Sequence, residues 1–321
     1  MEIVYNGEMD KRACKEVLGR VIPQLVKEDP EIVYLDADLM SCIGTLKGTR
    51  DVADRAINCG IAEANMIGVA CGLASAGFKP IVHTFGPFAS RRCFDQVFLS
   101  AGYAKNDITI IGTDPGVMAA MNGGTHMPFE DMAMYNTIPG ATIIDVTDPT
   151  LLESAIRQCV NRKGVKYIRV GRKQYAKVYA EGSEVPIGKA TVLREGGDAV
   201  VFASGIMVHE AMKAADILAA EGIQAEVWKL NQISPLDHTT ICEALGSRKT
   251  LLVLEDSFGA GCVGQRVAAI LAEHGQAPEK LILKNLGKTF APEGSVSQLE
   301  HSFGLDAAAV AEAVREAAHG K

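Results

Sequence analysis

Apolar and polar positions follow two alternating rhythms along this chain. Short runs rich in Val and Ile recur at "EIVYLDADL" (Glu31–Leu39), "KPIVHTF" (Lys79–Phe85), "DITIIGTD" (Asp107–Asp114), "ATIIDV" (Ala141–Val146) and "VKYIRV" (Val165–Val170). Their length and β-branching predict buried strands. Between them, helical spacing of apolar residues runs through Lys11–Lys27, Ile61–Ala76, Arg91–Lys105 and Pro149–Asn161. From Lys173 to Lys189 the chain turns polar and irregular, the signature of a linker. A second alternation follows, with strands expected at "DAVVFAS", "QAEVWKL", "TLLVLED" and "KLILKNL". Helices are expected near Val208–Ala220, Pro235–Leu245, Gly261–His274 and Ala307–Ala317. The pattern predicts two consecutive three-layer α/β domains with mostly parallel sheets. Their bounds are set at residues 1–178 and 191–321, with a linker at 179–190.

Composition narrows the class. The chain of 321 residues is 48% apolar and 22% charged, enough for two real cores. A net charge of -7 with interspersed signs lacks the basic patch of a nucleic-acid binder. The start, "MEIVYNGEMDKR", has no apolar leader, and the longest uncharged apolar run, about fifteen residues, is too short for a membrane span. Eight cysteines without a CxxC pair look like the thiols of a cytoplasmic enzyme.

Ligands of open α/β sheets sit at the carboxyl ends of strands. The first domain gathers unusual residues there: His83, Phe85, Asp114, Asn122 to His126, Arg169 and Arg172. One carboxylate, Glu63, opens the otherwise small and apolar helix of "NCGIAEANMIGVACGLASAGF", where a charge costs several kcal/mol unless compensated. The second domain offers "GAGCVG" (Gly259–Gly264) after a strand, but the acidic residue that would read a ribose is missing about twenty positions on. That string is a weak signal, better explained by a tight turn.

Three segments of the first domain belong together: "IAEANM" with Glu63, "TFGPF" with Phe85 and Phe88, and "GGTH" with His126. Together they resemble the pyrimidine-binding domain of the transketolase family of thiamine-diphosphate enzymes. "DAVVFASGIMVHEAMKAADILAAEGIQAEVWKLNQISPLD" resembles that family's C-terminal domain, and the likeness runs from about Lys11 to the end. The resemblance implies that Glu63 hydrogen-bonds a pyrimidine nitrogen of the cofactor and handles its proton. It implies that Phe85 and Phe88 hold the pyrimidine, and that His126 contacts the donor's hydroxyls or carbonyl. Lys11, Ser41, Arg91 and Arg172 match positions where relatives bind a substrate phosphate.

What is absent matters as much. The family's diphosphate and magnesium site, a GDG motif followed by Asn, does not occur here. The resemblance therefore implies the pyrimidine-binding subunit of a split transketolase, moving a two-carbon ketol unit from a ketose to an aldose. An N-terminal subunit would bring the GDG motif and the Mg2+ (or Ca2+), in an α2β2 assembly with the cofactor between chains. Two departures concern the substrate: Asn122 stands where relatives carry Asp, and Asp114 where they carry a phosphate-binding His. A deoxyxylulose-phosphate synthase or a 2-oxoacid dehydrogenase β subunit stays open as an alternative of the same cofactor class.

Overall fold

The computed structural model describes residues Met1–Ala318 and divides into two compact units. The first comprises Met1–Pro115 with Met134–Ile187, the second Gly116–Ala133 with Gly188 onward. Both are three-layer α/β units, as the alternating pattern predicts.

In the first unit the strands are β1 (Ile32–Asp36), β2 (Ala56–Asn58), β3 (Lys79–Phe85), β4 (Ile108–Thr113), β5 (Thr142–Asp145) and β6 (Val165–Val170). They lie in the order β5-β6-β4-β3-β1-β2, every neighbouring pair parallel. β1, β4, β5 and β6 are buried at every position, which is why they are continuous apolar runs rather than alternating ones. The helices are α1 (Cys14–Glu28), α2 (Thr45–Gly48), α3 (Glu63–Ser75), α4 (Gly86–Ala89), α5 (Phe94–Gln96), α6 (Asp131–Asn136, across the unit boundary) and α7 (Pro149–Cys159). α1 packs on α7, while α3 covers β3 and touches β1 and β4.

Two expectations need correction. The helix predicted over Arg91–Lys105 is broken: α5 is one turn, and Val97–Tyr103 is a π-helix. Ala104 N–H donates to Leu99 O at 3.1 Å and Asn106 N–H to Ala101 O at 2.9 Å, the five-residue spacing of that wider turn. Part of the expected linker is also held down. Ile3 and Met9 form antiparallel bridges to Tyr179 and Ala176, and the Asp148 carboxylate accepts the N–H groups of Val178 and Tyr179, both at 2.9 Å.

In the second unit, β7 (Ala190–Arg194), β8 (Ala199–Ala203), β9 (Ala225–Leu230), β11 (Thr250–Leu254) and β12 (Lys280–Lys284) form a sheet of order β12-β11-β8-β9-β7. Only β7 is antiparallel. A short strand, β10 (Gln232–Ser234), follows β9 in the chain. The helices are α8 (Met207–Ala220), α9 (His238–Leu245), α10 (Val263–Glu273), α11 (Val296–Ser302) and α12 (Ala307–Ala318); α8 pairs with α12, and α9 with α10. No helix among the described residues is long and apolar enough to cross a membrane.

The "GAGCVG" turn leads into α10, but its phosphate-binding capacity is already taken. Glu255 lies across the helix start, accepting N–H bonds from Val263 at 2.9 Å and Gly264 at 2.8 Å. A phosphate would meet a resident anion there.

Candidate functional site

The site in the first unit is a row of side chains at the carboxyl ends of β3, β4 and β6. Glu63 begins the row. It is the first residue of α3 and is 2% exposed. The question of what compensates it has a direct answer: Arg92 Nη1 donates to Glu63 Oε1 at 2.8 Å, and the Thr84 hydroxyl donates to the same oxygen at 3.4 Å. Glu63 Oε2 is buried and has no hydrogen-bond partner among the described residues. An acceptor left in that state costs about 1–3 kcal/mol, more when charged, so its retention points to a donor that arrives from outside.

Aromatic rings come next. Phe85 ends β3, and α4 places Phe88 three residues on, the ring centroids 6.3 Å apart at 58°. Each ring carries a guanidinium on its face: Arg92 stands 3.7 Å from the Phe88 centroid, and Arg172 stands 4.9 Å from that of Phe85.

Arg172 closes the row, two residues beyond β6. Its Nε and Nη2 both donate to Asp114 Oδ2, at 2.9 and 2.5 Å, and its Nη1 to Cys42 Sγ at 2.5 Å. Burial alone would lower the arginine's pKa, but the bonds to Asp114 and Cys42 outweigh it and leave it raised. Asp114 is 4% exposed and has a φ of 58°, a left-handed conformation that Asp and Asn tolerate better than most residues.

None of the other predicted residues takes part in the contacts just described. Arg91 is exposed on the turn after α4. Ser41 is exposed and lines a cavity of about 360 Å3 with Lys15, Arg20 and Cys42. Lys11 is exposed ahead of α1, its carbonyl accepting from Gln174 Nε2 at 2.9 Å. Asn122 and His126 belong to Gly116–Ala133, the segment that clusters with the second unit. Asn122 is exposed, and Thr125 Oγ1 lies 2.9 Å from His126 Nδ1. Gly116 starts this segment at φ 51°, where a Cβ would overlap the Asp256 carboxylate, so only glycine fits.

Three unusual residues turn out to brace the scaffold or flank the row. His83 is wholly buried, its Nδ1 2.7 Å from Asp36 Oδ2 and its Nε2 3.1 Å from Thr113 Oγ1. Tyr34 donates to the same Asp36 oxygen at 2.7 Å, so three adjacent strand ends are tied together. Arg169 is buried in an ion pair with Asp145, its partner across β5 and β6. Cys42, which the sequence did not single out, touches Arg172. The weight of Arg92 was also missed; its only sequence signal is the doubled arginine after the aromatic pair.

A buried carboxylate with one oxygen unmatched among the described residues and a pair of aromatic rings are thus linked through Arg92 at the carboxyl end of β3. Comparison with known proteins gives that arrangement a family. Residues 10–177 match the transketolase pyrimidine-binding domain, and residues 188–310 the transketolase C-terminal domain. The chain belongs to the transketolase family. It is 38% identical to the 6-deoxy-6-sulfo-D-fructose transketolase subunit SqwH of Clostridium sp. (strain MSTE9), over 99% of this chain and 98% of that one. Against human transketolase it is 30% identical over 95% of its length but spans only 49% of that protein. Among solved structures it superimposes on a split-gene transketolase described as an inactive β4 tetramer, with a TM-score of 0.85, 31% identity, and coverage of 96% and 98%. The chain is thus a C-terminal-half transketolase of the split type.

Proposed function

We propose that this chain is the pyrimidine-binding subunit of a two-subunit, thiamine-diphosphate-dependent transketolase of the cytoplasm. It transfers a two-carbon ketol unit from a ketose with an anionic tail to an aldose. The observation that carries this reading is Glu63 Oε2, buried without a partner beside Phe85 and Phe88. That arrangement fits the cofactor's pyrimidine. When bound, thiamine diphosphate supplies a nucleophilic carbon that no amino-acid side chain provides.

The chain's own residues would share the remaining work. Glu63 would hold a proton for a pyrimidine nitrogen, and Arg92 with Thr84 engages its Oε1, leaving Oε2 for that contact. Phe85 and Phe88 supply apolar faces for the pyrimidine. His126 and Asn122 serve the hydroxyls or carbonyl of the donor. Arg172, Asp114, Arg91, Ser41 and Lys11 surround its tail. The tail named for SqwH is a sulfonate on a fructose skeleton, and we extend that chemistry to this chain.

Completion of the site falls to other chains. An N-terminal subunit with the GDG motif and its downstream Asn would bring the diphosphate site and its Mg2+ or Ca2+. Self-association into an α2β2 assembly has a suitable surface on α3 and the π-helix. There Val69, Phe98, Leu99 and Tyr103 are 39%, 37%, 49% and 83% exposed, and Gly68 and Gly72 leave the α3 backbone bare.

Calorimetry with thiamine diphosphate and magnesium, on this chain alone and mixed with the N-terminal subunit, tests the reading. Tight binding is expected only in the mixture. Glu63→Gln in the mixture should assemble normally and lose about 10²–10⁴-fold in turnover, the usual contribution of a proton-transfer group. Near-normal turnover would refute the role of Glu63.

A further inference from the structure

Arg172 is the cation at the far end of the row from Glu63, and it does not stand alone. Asp114 Oδ2 takes two of its N–H groups, and Cys42 takes a third. A guanidinium has five N–H donors, so two are left for a ligand. The pair carries no net charge, because one carboxylate matches one guanidinium at 2.5 Å. Asp114 is almost fully buried, and both of its bonds to Arg172 fall on Oδ2. A tail docking on the two remaining N–H groups therefore approaches a fixed negative charge at close range. With the guanidinium's charge largely cancelled by Asp114, a tail's second charge gains little attraction here while its desolvation cost rises steeply.

We propose that Asp114 is a specificity-determining residue: it turns the Arg172 site into a charge filter that accepts a singly charged tail and rejects a doubly charged one. This rests on the ketol-transfer reading given above and adds the tail chemistry that the site selects. A sulfonate carries one negative charge throughout the neutral range. A phosphate monoester carries nearly two, because its second proton leaves near pH 6. Both present three oxygens to the arginine, so shape does not separate them. Charge does, and Asp114 is the group that senses it. The left-handed backbone at Asp114 makes Asn a conservative probe, since both residues tolerate φ of 58°.

The test uses the assembled two-subunit enzyme with two ketose donors alike except for a 6-sulfonate or a 6-phosphate. The wild-type enzyme should favour the sulfonate in kcat/KM. Asp114→Asn should narrow that preference at least tenfold, mainly by lowering KM for the phosphate donor. Asp114→Glu, which keeps the charge, should retain the preference. An equal loss on both donors in Asp114→Asn, or a wild-type preference for phosphate, overturns the filter. Absence of transfer from every ketose in the wild-type assembly would instead overturn the ketol-transfer reading, so the two failures are distinguishable.

Discussion

Arg92 is the residue whose weight only the folded chain reveals. In sequence it is the second of two arginines; in the structure it pairs with Glu63 and stands over the Phe88 ring. Its side chain is 44% exposed, so the pair is worth less than a fully buried one. Arg92→Leu should lower the stability of the isolated chain by about 1–2 kcal/mol, because Glu63 then lacks a counter-charge. In the Glu63→Gln background the same change should cost much less, and urea titration of all four proteins reads that coupling. Additive effects would mean that the two side chains do not communicate. Glu63, Phe85 and Phe88 stand out in sequence because each falls within a short motif. His83 stood out in sequence too, but its partner Asp36 is 47 residues away, and that distance hides its bracing role. The pairing of Asp114 with Arg172 was hidden in the same way, across 58 residues.

At the scale of elements, strands with full burial were easy to find and marginal ones were not. β2 has three residues, none of them buried, and so offers no apolar run to recognise. β7 is an edge strand with one buried position, and its antiparallel pairing with β9 breaks the βα rhythm. The π-helix escaped because helical spacing in sequence does not separate a four-residue from a five-residue hydrogen bond. α3 poses the opposite problem: it is apolar on every side, although one side faces outward. An outward apolar face of this kind needs a cover. Val69→Lys should leave the isolated chain folded, as judged by circular dichroism, yet lower its self-association in sedimentation experiments. Unchanged association would place the interface elsewhere.

For the molecule as a whole, the assignment of Gly116–Ala133 to the second unit was the least legible feature. It interrupts the first domain's range in sequence, and only long-range packing shows that α11 holds it. That packing has a pH signature. Burial, helped by Glu210 and Asp256, pushes Glu300 on α11 up to about 7. A carboxyl raised on folding binds more protons in the native state than in the unfolded one. Its contribution to stability is therefore complete below the unfolded value of 4.5 and is lost as pH rises towards 7. Thermal melts should show stability falling by roughly 1 kcal/mol across that window, and Glu300→Gln should flatten the decline. A variant with the wild-type slope would assign the loss to other groups.

The unmatched oxygen of Glu63 has a meaning beyond chemistry. Among the described residues, nothing donates to that buried oxygen. Whatever supplies the missing donor stabilises the native state by mass action, in proportion to RT ln(1 + [L]/Kd). A copy lacking that donor opens more often than one that holds it. Ligand-bound and ligand-free copies should therefore differ in how often they open, and limited proteolysis with and without thiamine diphosphate reads that difference directly.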